Sequence, residues 1–184
     1  MTTSHLKGRL EDHRYVTGTG RYTADRNVTG QLHAYFIRAD RPHAQIVSID
    51  ASAAKSTKGV HLILTGEDMV AAGVKTIPVN SIAGKSRDGS ELIKTIRPAL
   101  ATGKTRYVGE PVVCVVAESA VIAQDAAEHI TIEYKDLPHV TRAVDAMKPG
   151  APQLHDNVPG NRVLGYGNGT DEAKVDAAIK SAKR

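Results

Sequence analysis

One unbroken run, Val112 to Ala117 (VVCVVA), limits what this chain can fold into more than any other feature. Its residues are apolar and mostly β-branched, which favours an extended backbone. A run this short and continuous reads as a strand buried on both faces. Gly109 and Pro111 mark its start, because Pro donates no ladder hydrogen bond and is accommodated at a strand's first residue. Ser119 then offers an N-cap for a helix whose Ile122, Ala123, Ala126, Ala127 and Ile130 share one face. A second strand follows, with Ile130, Ile132 and Tyr134 alternating against Thr131 and Glu133. The spacing predicts a β-α-β unit as the folding centre, and that unit holds no obvious catalyst.

Upstream, strands are expected over Leu32–Ile37, Ala44–Ile49 and Val60–Leu64. Asp50 and Ser52 are both candidate N-caps for a short helix over Ala51–Ser56. Thr65, with Asp68 three residues on, forms a capping-box signature for a helix through Ala72 that Gly73 stops. Lys75 to Leu100 has little periodicity and contains Pro78, Gly84, Gly89 and Pro98, so an irregular excursion with room for one short strand is expected. Val140 to Met147 reads as a short helix closed by Pro149-Gly150. Past Gly150 the chain turns Gly-rich and polar, and few residues could fill a core. Thr170 or Asp171 can cap a last helix with Val175, Ala178, Ile179 and Ala182 on one face.

Composition removes several classes of function. At 184 residues the chain is long enough for one well-packed domain. Aromatic residues make up only 4%, with no Trp, so stacking platforms for bases or flat ligands are few. The net charge of +4 is mild and dispersed; the local excess, seven Lys or Arg between Lys75 and Arg106 against Asp88 and Glu91, reads first as a solvated loop. Cys114 is alone, so no internal disulfide or thiolate cluster is available, and inside VVCVV it is expected as a small buried thiol. The polar opening MTTSHLKGRLEDHR carries no signal peptide and no apolar run reaches membrane-spanning length, which points to a cytoplasmic protein.

Several blocks in register carry a resemblance. Tyr107-Val108-Gly109-Glu110-Pro111-Val112, Val115-Val116-Ala117-Glu118-Ser119, Ala123-x-Asp125-Ala126-Ala127-Glu128 and Ile132-x-Tyr134-x-x-Leu137-Pro138 are one group. GRLEDHRYVTGTGRYTAD, GQLHAYFIRADRPHAQIVSIDASAA, GVHLILTGEDM, RPALATGKTRYVGEP and GAPQLHDNVPGN are the others. Together they resemble the first domain of molybdenum hydroxylase large subunits: xanthine dehydrogenase, aldehyde oxidase and aerobic carbon monoxide dehydrogenase. The resemblance covers nearly all the chain except about Val74 to Lys94.

It implies an α/β (α+β) hammerhead-type domain, a mixed and mainly antiparallel sheet with short helices, over residues 26–150. Residues 1–25 would form an N-terminal arm and residues 151–184 an extended tail and helix leading toward absent cofactor-binding domains. The arm is polar and Gly-rich, and the resemblance runs it along the surface toward an iron–sulfur component. Arg9, Glu11, Asp12 and Arg14 of the arm, with Gly109 and Glu110 of the turn before the central strand, are the candidate partner interface. The implied partners are the remaining large-subunit domains and the iron–sulfur and flavin subunits. Molybdopterin with molybdenum, iron–sulfur clusters and FAD would belong to the complete enzyme, with no cofactor, metal or catalytic residue in this chain.

The candidate chemistry bears on the same expectation. Glu110, held between Gly and Pro, has the rigidity of a general base, but its structural reading is an acceptor of backbone or Arg hydrogen bonds that shapes the strand entry. The resemblance places the catalytic Glu in later domains. The eight histidines include no i, i+4 pair of the kind that holds a metal on a helix. Gly84-Lys85-Ser86 and Gly103-Lys104-Thr105 imitate the end of a phosphate loop, yet Val79 and Pro98 stand where its leading Gly belongs. Gly165-Tyr166-Gly167-Asn168-Gly169 lacks dinucleotide spacing and reads as a hinge. The expected function is structural: an assembly domain, split or truncated, of an enzyme that oxidises a small aldehyde, N-heterocycle or carbon monoxide. The alternatives are a free-standing binding module of the same fold and a weak nucleic-acid binder using the basic loop.

Overall fold

The structure, a computed structural model, describes residues 9, 11–79, 85–167 and 171–182. Two three-stranded antiparallel sheets share one core. In the first, β5 (Pro111–Ala117) runs between β1 (His33–Arg38) and β3 (Val60–Thr65). Val115 stands opposite Tyr35 on one side and Ile63 on the other. Val112, Val113, Val115 and Ala117 are fully buried and Cys114 nearly so, which is the two-sided burial that the apolar run predicts. Burying each such Val contributes about 1.5–3 kcal/mol.

The second sheet places β2 (Ala44–Asp50) between β6 (Thr131–Asp136) and the two-residue β4 (Lys104–Thr105). Its Ile46, Ile49 and Ile132 pack against the same core cluster. α4 (Ala120–Glu128) covers β1, β5 and β3, with Ala123, Ala126 and Ala127 buried. Ser119 caps it as expected, its Oγ accepting the Ile122 N–H at 3.2 Å.

The β-α-β expectation needs correction. β5 and β6 flank α4 in sequence but belong to different sheets, and each pairs with antiparallel neighbours only. Local periodicity found both strands and the helix between them. Which strands pair is decided by long-range partners that periodicity does not see.

The shorter elements follow their caps. α3 (Gly66–Ala71) opens with the capping box: Thr65 N–H and Oγ1 donate to Asp68 Oδ2 at 2.8 and 2.7 Å, while Thr65 Oγ1 accepts the Asp68 N–H at 3.3 Å. Gly73, at φ +74°, ends it. α2 (Ser52–Lys55) starts later than expected, because Asp50 Oδ1 takes both the N–H and Oγ–H of Ser52 and turns the chain before the helix begins. α5 is one turn, Ala143–Ala146, rather than Val140–Met147. Residues 137–138 are tied instead to His43, whose carbonyl accepts the Leu137 N–H and whose Nδ1 donates to Pro138 O.

The expected excursion after Lys75 is irregular; its described part holds one isolated bridge, Lys85 to Glu91, and no strand. It is stapled to the tail. Ile93 N–H donates to Val163 O, Arg87 N–H to Gly165 O, and Asn157 Nδ2 to Lys94 O. The tail also supplies a core residue, Val158, 1% exposed. α6 (Glu172–Ser181) is capped by Asp171 and buries no residue. Gly84, Asn168, Gly169 and Thr170, which figure in the loop, hinge and cap expectations, lie outside the described residues.

Candidate functional site

The site most legible in the sequence is the turn that leads into β5. Glu110 N–H closes it onto Tyr107 O at 3.3 Å, and Gly109 adopts φ +90°, a conformation that costs a Cβ-bearing residue about 1–2 kcal/mol. The end of β1 clamps it: Gly109 N–H donates to Ala39 O, Ala39 N–H to Glu110 O, and Arg38 Nη1 to Gly109 O at 2.9 Å. Ala101 N–H donates to Pro111 O at 2.7 Å from the other side. The turn is therefore rigid.

Glu110 is 6% exposed, and its Oε2 accepts the backbone N–H of Arg106. Burial pushes its carboxyl above the usual carboxylate range; the amides of Arg106 and Tyr107 and the Arg106 charge pull the other way and are outweighed. The carboxylate thus serves the turn from inside, as its structural reading expects. The exposed tip consists of Tyr107 and Val108. Sequence reasoning passed over these two; the signal was an apolar pair set directly before the turn's Gly, where burial is not available.

The arm stands apart from this turn. Among the described residues, every hydrogen bond made by residues 9–31 ends within that stretch. α1 (Asp12–Val16) is held by Arg14 to Glu11 at 2.7 Å and by Asp12 Oδ2, which accepts the Arg9 N–H at 2.8 Å. Tyr15 and Tyr22 stack at 5.3 Å between ring centroids. So Arg9, Glu11, Asp12 and Arg14 form one local cluster and Gly109 with Glu110 another, with no hydrogen bond or ion pair joining them among the described residues.

Behind the turn lie two adjoining cavities of about 220 and 360 Å³, both lined by Arg106, Leu154 and His155. His43, 5% exposed, lines the first; because a carbonyl only accepts, its Nδ1 carries the proton given to Pro138 O. Burial, then the Arg106 and Lys104 charges, hold the His155 imidazole below its ordinary pKa. Three of the basic loop's seven cations are paired: Lys85 with Glu91, Arg87 with Glu172, and Lys104 with Asp156, each at 2.8 Å.

An α/β domain of two antiparallel sheets, with a clamped Gly-Glu-Pro turn and a tail folded back along a loop, defines the class of protein. Residues 17–138 match the family described as aldehyde oxidase and xanthine dehydrogenase, a/b hammerhead domain, and the chain belongs to that family. It is 40% identical over 179 residues to the nicotine 6-hydroxylase large subunit of Paenarthrobacter nicotinovorans, covering 95% of this chain and 20% of that one. The carbon monoxide dehydrogenase large chain of Hydrogenophaga pseudoflava is 32% identical over 184 residues, covering 94% and 21%. Among solved structures, quinoline 2-oxidoreductase from Pseudomonas putida 86 superposes with a TM-score of 0.73 at 41% identity, covering 84% of this chain and 19% of that one. The chain spans about a fifth of the length of these relatives. The hammerhead fold expected from the sequence is the fold observed.

No group of three or more His, Cys, Asp or Glu among the described residues could hold a metal ion. Cys114, the one thiol, lies within the central strand, and burial pushes its pKa up, away from the thiolate a metal requires. No helix among them is long and apolar enough to cross a membrane.

Proposed function

We propose that the chain is a structural and assembly domain of a molybdenum-containing hydroxylase or dehydrogenase, which oxidises a small aldehyde, an N-heterocycle or carbon monoxide. Residues 1–25 act as an arm, 26–150 as the hammerhead domain, and 151–184 as a tail toward the cofactor-binding domains. Molybdopterin, iron–sulfur clusters and FAD belong to the rest of the large subunit and to iron–sulfur and flavin subunits. The assembly works in the cytoplasm. The chain itself performs no redox step.

One observation carries this reading: both segments that the reading assigns to partners, the arm and the tail, expose large apolar residues. Val16 and Tyr22 of the arm are 83% and 65% exposed, and Val175 and Ile179 of α6 are 55% and 68% exposed. Tyr107 and Val108 add an apolar tip beside Gly109 and Glu110. Val175 and Ile179, one turn apart on α6, form an apolar stripe of the kind that a partner covers. Arg9, Glu11, Asp12 and Arg14 would set the orientation of the arm through charge pairs that steer association.

The test uses the chain as bait in its native cells, with molybdenum, iron and flavin measured in the captured material. All three, in fixed ratio to the bait, are expected. A monomer that carries none of them contradicts the assignment and favours a free-standing module.

A further inference from the structure

The larger cavity behind the turn has a charge imbalance that the assembly role does not use. Arg97 and Arg106 line it from the loop and the turn, and His155 from the tail. All 20 Asp and Glu residues of the chain are among the described residues, yet none lies within 4.0 Å of either guanidinium. The neighbouring cations of loop and tail, Lys85, Arg87, Lys104 and Arg162, each have an acid at 2.8 Å.

Arg106 is half-buried, and such a guanidinium presents five N–H donors. It makes one long hydrogen bond, 3.4 Å from Nη1 to Lys104 O, and its Nε is buried without a partner. Glu110, the one acid lining the cavity, spends its Oε2 on the Arg106 backbone N–H. Ile96, Pro98 and Leu154 give the remaining wall an apolar stretch, beside Thr95 and Tyr107.

We propose that this cleft binds a small carboxylate carried on an apolar body, gripped by the guanidinium groups of Arg97 and Arg106. The planar fork of Arg matches a carboxylate in two parallel hydrogen bonds. The apolar wall suits a hydrocarbon or aromatic body of a size that about 360 Å³ admits. A phosphate dianion fits less well, because it gives up more hydration on entering an apolar-walled cleft and meets Glu110 with twice the charge.

The experiment titrates benzoate into the 15N-labelled chain, following the arginine Nε–H signals by NMR and the heat of binding by calorimetry. Saturable shifts at Arg97 and Arg106 are expected, with the affinity falling at least roughly tenfold in Arg97→Gln and in Arg106→Gln. Arg26→Gln, at an exposed position just past the arm and outside the cleft, leaves the affinity unchanged. Arg97 is exposed, so its variant tests the site even where Arg106→Gln unfolds the turn. Benzamide, the neutral isostere, binding as tightly as benzoate overturns the proposal. So does inorganic phosphate binding more tightly than benzoate, or a benzoate affinity that neither cleft variant lowers.

Discussion

Replacing Gly66 with Ala sets two well-understood effects against each other. Gly66 is the first residue of α3, and Ala is a better helix former than Gly by about 1 kcal/mol in a helix interior, less at a first position. Propensity alone therefore predicts a small gain. The surroundings predict a loss. A Cβ on Gly66 would lie 2.2 Å from Ala101 O, 2.7 Å from Thr102 Oγ1 and 2.8 Å from Ala101 C. Ordinary contact begins near 3.4 Å, so α3 or the backbone at Ala101 must retreat by more than 1 Å. Ala101 is poorly placed to retreat: it is 1% exposed and its N–H is tied to Pro111 O at the start of β5. Overpacking of this kind costs about 1–3 kcal/mol, sometimes more. Packing wins, and the net destabilisation is about 2 kcal/mol. Urea unfolding of Gly66→Ala should show a lower midpoint at unchanged slope, and thermal unfolding a loss of about 4–8 °C. A variant as stable as the parent, or more so, refutes the reasoning, since it would mean that the 100–103 segment yields without cost.

The other predictions concern the tail and the turn. Asn161, at φ +58°, donates from Nδ2 to Ala146 O and Pro152 O and accepts the Leu154 N–H on Oδ1. Asn161→Ala removes three hydrogen bonds of about 1 kcal/mol each, so amide exchange at Leu154 should accelerate by roughly two orders of magnitude; unchanged exchange there would show that the tail is held by other contacts. Glu110 has a carboxyl raised by burial, so the folded state holds its proton more tightly than the unfolded chain. Its contribution is favourable below the unfolded value and is lost as pH rises through the folded one. Glu110→Gln should therefore gain stability relative to the parent between pH 4 and pH 7 in denaturant titrations, and a difference that shrinks over that range contradicts the buried-carboxyl account. Ser119→Ala removes the α4 cap and should lower stability by about 1 kcal/mol in the same titration, with no effect counting against the capping geometry.

Much of this fold was written locally. β5 followed from an apolar run, α4 from Ser119 and a row of Ala residues, and α3 from Thr65 and Asp68, each of which needs only neighbours within a few residues to act. What local pattern could not supply was pairing. Nothing in Val112–Ala117 says that its partners are β1 and β3 while β6, just beyond α4, joins β2. The tail misled for a related reason. Its Gly and Pro content reads as linker, but Asn161 and Val158 act through contacts 9 and 15 residues back, or across to the core, that no spacing rule reports. At the candidate site, Glu110 was legible as a hydrogen-bond acceptor that shapes the strand entry, and the Arg106 N–H is the donor it meets. Arg97 and Arg106 were counted only as loop charge. Their lack of acidic partners becomes visible only when the loop, the turn and residue 155 are brought to one cleft.

The central claim is that these residues support a redox centre without containing one, and the isolated chain tests it most directly. Purified alone, confirmed folded by circular dichroism, and supplied with an aldehyde or a purine and an artificial electron acceptor, it should give no product above the buffer blank. Steady turnover that scales with the amount of chain would contradict the account.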